Sequence, residues 1–347
     1  MWFYSIVFLV LAIFNAYTYF RKFPKIGYVI SIVVLIIIAA FRPSSCCADY
    51  GTYIEYYNDI SNIPFTFLEP TFFAIVWLSN IIFKSPIGIF IIYSMLGVSI
   101  KGFALTRLTK YYQVSLILYF GSFFLLEEMT QIRVGVAAAI LLLSIPYIQE
   151  KKPLKFFPLV FVGFLFHYSL IIFAFFYFLN PAKINKYIYI TAIFAVFVAT
   201  IFGLNFISIL QLLKLGFLTQ KIETYQMLLE QGMFGGITLL NPLLFLRIAI
   251  LIFFIINYEA LLLRNKYSLT VTKIYAFSIF SFILLSPLPV LAGRVSQLLG
   301  VVEILIVPYS IYILKPKYAS ILLVVFFAIM IMYKQLYYSD LLFGYFK

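Results

Sequence analysis

The chain has 347 residues, 65% of them hydrophobic and 11% charged, and its mean hydropathy of +1.08 lies far outside the usage of a soluble domain. Apolar stretches of membrane-spanning length recur from end to end and no polar block is long enough to bury its own core, so a separate soluble catalytic unit is excluded and residues 1–347 read as one integral membrane domain. The net charge of +13 is spread through short loops rather than gathered into a patch interleaved with aromatics, which excludes nucleic acid as a partner.

In chain order the candidate spans are residues 2–20, 26–41, 70–83, 86–106, 114–126, 131–148, 156–179, 187–209, 238–262, 270–288, 295–314 and 318–336. They predict an all-α polytopic membrane protein of about 12 transmembrane or membrane-embedded helices. The first stretch, MWFYSIVFLVLAIFNAYTYF, lacks a basic n-region and a small-residue cleavage site, so it is expected to be a retained span. The basic loops RKFPK, KGFALTRLTK, QEKKPLK, NPAKINK, RNKYSLTVTK and KPK are expected on the cytoplasmic side, where Lys and Arg accumulate in short loops. The Arg42 to Glu69 loop, the stretch LEEMTQIR, residues 211–236 and both termini then face outward.

Simple crossings cannot place all of these basic loops inside. Residues 156–179 are therefore expected to form a hairpin turning at FHYS, and residues 70–83 a re-entrant or interfacial segment. Irregular backbone at membrane depth needs protein or a water-filled cavity around it, which points to an outward-facing cavity near His167 and Glu69.

No internal repeat, Gly-rich phosphate loop, Cys/His metal spacing or G-x-S-x-G elbow is visible. With a single histidine in the chain, a zinc site of the usual type is not expected, so the chemistry is expected to be free of metal and cofactor or to use carboxylates alone. Cys46 and Cys47 are neighbours that cannot build a disulfide framework and read as small packing residues.

Ionisable groups inside apolar stretches are costly and mark candidate sites. Arg42 and Asp49 open the polar loop after the second span; Arg42 meets either a phosphate or Asp49. Tyr50, Tyr53 and Tyr57 share one face if their segment is helical, as an interfacial aromatic belt or as a platform for sugar rings, with Asp49 and Glu69 accepting hydroxyl hydrogen bonds. Arg133 starts a small-residue span, where it snorkels, pairs with Glu127 or Glu128, or holds an anionic lipid headgroup. His167 is either a hydrogen-bonded structural residue or a general base, since a neutral imidazole accepts a proton near pH 7. Arg294 follows the helix break at Pro287 and Pro289, and its guanidinium suits phosphate oxygens. Glu303 lies about 180° round an ideal helix from Arg294, so it shares a face only if Gly300 bends the helix; otherwise it neutralises an intramembrane charge such as Arg247.

The motifs FRPSSCCADYGTYIEYY, LEP, QIRVGVAAAI, FHYS and GRVSQ, in this order, resemble the EpsG family of polysaccharide polymerases, relatives of the O-antigen polymerase Wzy. Arg42, Asp49, Tyr50, Tyr53, Glu69, Pro70, Ile132, Arg133, His167 and Ser169 match positions of that pattern. Cys47 stands where the family usually has glycine, and Val134 where glutamine often follows the Ile-Arg pair.

The resemblance implies a membrane glycosyltransferase of the GT-C type at the outer face of the bacterial inner membrane. Its substrates would be undecaprenyl-pyrophosphate-linked glycans as donor and acceptor, amid membrane lipids, with a chain-length regulator protein as an optional partner. His167, Asp49 and Glu69 are then the catalytic candidates, and Arg42, Tyr50, Tyr53, Arg133, Ser169 and Arg294 the substrate-binding ones. Other functions consistent with the composition are an envelope-glycan acyltransferase using His167 as base, a lipid-linked glycan flippase or transporter, and an O-antigen ligase-like enzyme. The acyltransferase lacks its expected paired basic-histidine motif, and the transporter its inverted repeats.

Overall fold

A computed structural model gives the fold; the residues it describes are 1–65, 68–203, 223, 226–227, 231, 236–338 and 342. The described residues are helical apart from turns, loops and one isolated bridge between Cys47 and Leu342. Among the described residues, five helices are long and apolar enough to cross a membrane: Trp2–Phe20, Ile87–Leu108, Ile132–Gln149, the broken helix Pro289–Ile313 and Lys317–Tyr337. Shorter apolar helices of 10–17 residues lie between them. The chain is an all-α, multi-pass membrane protein. The end of the expected span 187–209 and nearly all of the stretch 211–236 lie outside the described residues.

Two compact units are present. The first comprises Met1–Tyr177 and Val307–Lys347. Its first helix, α1 (Trp2–Phe20), buries one stripe, Tyr4, Phe8, Leu11, Asn15 and Thr18, and leaves Trp2, Ile6, Leu9 and Ile13 exposed. Such a surface would aggregate in water but is matched to lipid. The partner helix α2 (Pro24–Ala40) comes close at Gly27, where a Cβ would lie 2.2 Å from the Thr18 hydroxyl oxygen. The polar amphipathic helix α3 (Asp49–Asn58) follows, and then α4 (Pro70–Ile82), whose 13 residues span only about 20 Å against a hydrocarbon core of about 30 Å.

At the centre of this unit stand α5 (Ile87–Leu108) and α7 (Ile132–Gln149). Every residue from Val134 to Leu142 is buried, so α7 is apolar all round because protein, not lipid, surrounds it. The small side chains of VGVAAA let neighbouring helices approach closely. Between them, α6 (Tyr112–Tyr119) continues as a π-helix over Phe120–Glu128, an uncommon winding found often at functional sites.

Helix α8 (Pro153–Phe166) ends at His167, whose extended backbone (φ −156°, ψ 116°) stops the helix. A 3₁₀ segment, Tyr168–Phe178, returns along it: Phe156 stacks near Phe173 and Tyr177, and the Lys151 ammonium donates to the Tyr177 carbonyl at 2.7 Å. The reversal falls at FHYS.

The second unit, Phe178–Ile306, holds α9 (Lys186–Ile201), α10 (Pro242–Ile256), α11 (Tyr258–Leu262), α12 (Ser268–Leu284), α13 (Pro289–Gly300) and α14 (Glu303–Ile306). The side chains of Asn185 and Asn241 accept from the first free backbone N–H groups of α9 and α10, capping their N-termini. Pro287 and Pro289 separate α12 from α13, and the Ser278 hydroxyl donates to the Ser296 carbonyl at 2.7 Å to tie the pair.

Two lysines expected in cytoplasmic loops are not in loops. Lys101 lies fully buried inside α5, which runs on to Leu108, and Lys273 lies buried inside α12, donating to the carbonyls of Asn180 and Lys183 at 2.5 and 2.6 Å. Counting charges treats both as topological signals, whereas each is held by a specific partner that repays its desolvation.

Candidate active site

Glu69 is the residue before α4. Pro70 at the first helical position fixes the turn there and holds Glu69 in an extended conformation (φ −67°, ψ 142°). Its carboxylate, only 7% exposed, turns to meet two partners. One oxygen, Oε1, lies 3.1 Å from Nδ1 of His167. The other, Oε2, accepts from Nη1 of Arg133 on the first turn of α7. Three motifs far apart in sequence thus close on one point.

The hairpin holds the imidazole in place through neighbouring contacts. The Thr71 hydroxyl donates to the Leu165 carbonyl at 2.7 Å, and the Tyr168 hydroxyl donates to the Leu68 carbonyl at 3.2 Å. Phe166, beside His167, packs edge-on against Tyr93 of α5. With an ionised carboxylate at Nδ1, that nitrogen carries the ring proton, so Nε2 is the acceptor. Nε2 is buried and has no hydrogen-bond partner among the described residues.

Burial pushes the Glu69 carboxyl up, but the hydrogen bond from His167 and the charge of Arg133 outweigh it, so its pKa lies below the ordinary value of 4.5. The Arg133 guanidinium sits 5.9 Å above the Phe72 ring and keeps 24% of its side chain exposed. Tyr53 of α3 brings its hydroxyl against the same guanidinium. Burial raises the Tyr53 phenol to about 12, against the opposing pull of Arg133, so the hydroxyl stays neutral.

A second cation stands nearby in the same unit. Arg42, 4% exposed, donates from Nε to the Ala39 carbonyl at 2.7 Å and from Nη1 to the Met129 carbonyl at 2.6 Å. Its guanidinium lies 4.7 Å from the Phe90 ring, whose other contacts are the stacked ring of Tyr50 and the edge of Tyr53. Nη2 of Arg42 is buried without a hydrogen-bond partner among the described residues. Asp49 is the first residue of α3, one turn before Tyr53, and its charge acts on that tyrosine.

The tyrosine face does form, because Asp49–Asn58 is helical, with Tyr53 buried and Tyr50 and Tyr57 half-buried. Tyr53 is 5% exposed against Phe72 and Phe90, Tyr50 stacks on Phe90, and the Tyr57 hydroxyl donates to Asn80 Oδ1.

Glu69, His167, Arg133 and Tyr53 thus come together, with Arg42 and Tyr50 against Phe90 beside Tyr53 and the charge of Asp49 acting on Tyr53. Ser169 lies two residues beyond His167 in the 3₁₀ segment, half-buried. Arg294 lies exposed on α13 of the second unit, and Glu303 of that unit holds Arg247 through paired bonds of 2.8 and 3.3 Å. Cys46 and Cys47 are buried free thiols, consistent with packing residues. Arg133 pairs with Glu69 rather than with Glu127 or Glu128, which hold Lys101 instead. The sequence reading passed over Phe72, Phe90 and Tyr93, which are indistinguishable by pattern from other core aromatics.

Such a fold and site define a multi-pass helical membrane protein with a buried carboxylate, imidazole and guanidinium held in mutual contact. The EpsG family model matches residues 25–346, nearly the whole chain. The protein belongs to the EpsG family, a family of Wzy-like polysaccharide polymerases. No curated protein and no solved structure matches it.

Proposed function

We propose that the Glu69, His167 and Arg133 cluster is the catalytic centre of a GT-C-type membrane glycosyltransferase at the outer face of the bacterial inner membrane. It joins undecaprenyl-pyrophosphate-linked oligosaccharide repeat units into a surface polysaccharide. The observation that carries this reading is the buried Nε2 of His167, without a partner among the described residues, on a ring fixed through Nδ1 by the Glu69 carboxylate.

In the step so assigned, Nε2 takes the proton of an acceptor sugar hydroxyl as its oxygen attacks the anomeric carbon of the donor. The bond from that carbon to the pyrophosphate oxygen breaks, and its electron pair leaves with undecaprenyl pyrophosphate. The leaving group is already good, so the protein has only to receive the proton and stabilise the departing charge. Glu69 fixes the tautomer and balances the imidazolium that forms. Arg133 and Nη2 of Arg42 supply positive charge for the pyrophosphate; Asp49 and Ser169 take sugar hydroxyls. A chain-length regulator protein is a natural partner for such a polymerase.

The test is a ladder assay: purified protein given lipid-linked repeat units should yield a series of longer chains, and binding without extension would favour a transporter. Extension is expected to persist in EDTA. The Glu69 and Glu128 carboxylates already meet cations or hydrogen-bond donors of the protein, which leaves them poor ligands for a hard cation. Complete loss in EDTA, reversed by magnesium, would overturn that expectation.

Orientation has its own measurement. Both Lys151 and Asn62 are exposed, and membrane-impermeant thiol labelling of Lys151→Cys and Asn62→Cys is expected to report the inner and outer faces respectively. The reverse pattern would put the site on the cytoplasmic side.

A further inference from the structure

Lys101 lies inside α5, fully buried, with three oxygen partners. Its ammonium lies 2.6 Å from Glu127 Oε2 and 2.5 Å from Glu128 Oε1, and donates to the Gly135 carbonyl at 2.9 Å. The Tyr119 hydroxyl donates to the same Glu128 oxygen at 3.0 Å. The cluster is built into the backbone: a Cβ at Gly97 would fall 2.3 Å from Glu128 Oε2, and one at Gly135 3.1 Å from it.

These ligands bracket one short piece of chain. Glu127 and Glu128 close the π-helix, Gly135 lies in the first turns of α7, and Arg133 stands between them. Directly after Glu128, the Met129 carbonyl is held by Arg42. The connection that carries Arg133 is therefore clamped before, within and after by two buried cations. A buried ion cluster contributes little net stability compared with apolar packing, so its retention in a membrane core points to a geometric role.

We propose that Lys101, through Glu127, Glu128 and Gly135, is a positioning residue that holds Arg133 against Glu69. The inference rests on Arg133 serving the reaction assigned to this site. If Arg133 drifts, Glu69 loses the cation that helps keep it ionised. The titratable and charged groups around Glu69 are Arg133 on α7, His167 and Tyr168 at the hairpin, and Tyr93 on α5, with Tyr53 of α3 against Arg133. Of these, Arg133 is the fixed cation, so its displacement raises the Glu69 pKa.

Removing Lys101 alone would strand two buried carboxylates, so the informative variant is Lys101→Met/Glu127→Gln/Glu128→Gln, of similar volume and no charge. In the full-length protein its thermal midpoint should stay near the wild-type value. Its kcat for chain extension should fall roughly 10- to 10²-fold, as expected for a small misplacement, with KM for the lipid-linked donor little changed. The acid limb of its pH profile should move to higher pH. Phenylglyoxal labelling of Arg133, read by mass spectrometry, should rise above wild type.

Wild-type kcat, pH profile and Arg133 labelling in this variant would overturn the inference. So would a variant that fails to fold, because the cluster would then be holding the fold and not the arginine. If the wild-type protein extends no chains, the catalytic reading fails, while the labelling of Arg133 still decides whether Lys101 positions it.

Discussion

Replacement of Arg133 by alanine is expected to lower chain extension by roughly 10²- to 10³-fold, the usual cost of removing one preorganised charge from a developing oxyanion. The arginine makes one oxygen contact to Glu69, has Tyr53 against it and still keeps 24% of its side chain exposed, so part of its fork remains open to a ligand. Lysine in its place keeps the charge and loses the fork, so Arg133→Lys should retain partial activity.

Stability complicates the alanine variant, since breaking a buried pair costs about 3–5 kcal/mol when it strands a charge. Arg133→Ala/Glu69→Gln removes both charges and should recover the fold without recovering extension. Full-length polymer from Arg133→Ala would remove the residue from the site.

The members of this site were legible in the sequence, but their pairing was not. Glu69, Arg133 and His167 each stood out as an ionisable group in an apolar setting or in a motif shared with a known family. Their contacts bridge 64 and 98 residues, and no local period reports which distant groups meet. Arg133 was offered Glu127 and Glu128 as near neighbours, yet the π-helix turns both toward Lys101. Glu303 and Arg247 could be matched in advance because each is costly unpaired within an apolar stretch, and they do pair.

Lys101 was misread for a physical reason. A lysine at a cytoplasmic boundary and a lysine buried in an ion cluster look alike to charge counting. The difference lay in its context: MLGVSI precedes it and GFALT follows, a mostly apolar run whose glycines, Gly97 and Gly102, do not end α5. The break at His167 was easier to anticipate, because the FHYS stretch is the only polar interruption in a long aromatic run, and a reversal there lets the basic residues at both ends lie on the same side.

His167→Ala is expected to cost 10²- to 10⁴-fold in chain extension, the range for loss of a general base. The geometry separates this residue from its rivals. Glu69 has both oxygens engaged, one by His167 and one by Arg133, so accepting a proton would cost it a cation contact and a hydrogen bond. Its lowered pKa states the same preference: the ionised form is favoured, and a weakly basic carboxylate is a poor base for a sugar hydroxyl. His167 instead has one nitrogen fixed and the other without a partner among the described residues. Glu69→Gln should therefore behave as loss of an orienting group, slowing extension less than His167→Ala.

The pH dependence has a definite sign. Because the folded pKa of Glu69 is depressed, its ionised form contributes stability that is fully present above its ordinary value of 4.5 and is lost as pH falls through the lowered folded value. Glu69→Gln should remove that acid-side loss of stability from thermal unfolding curves. If His167→Ala costs less than about tenfold while Asp49→Asn or Glu69→Gln abolishes extension, the base is a carboxylate and the imidazole merely supports it.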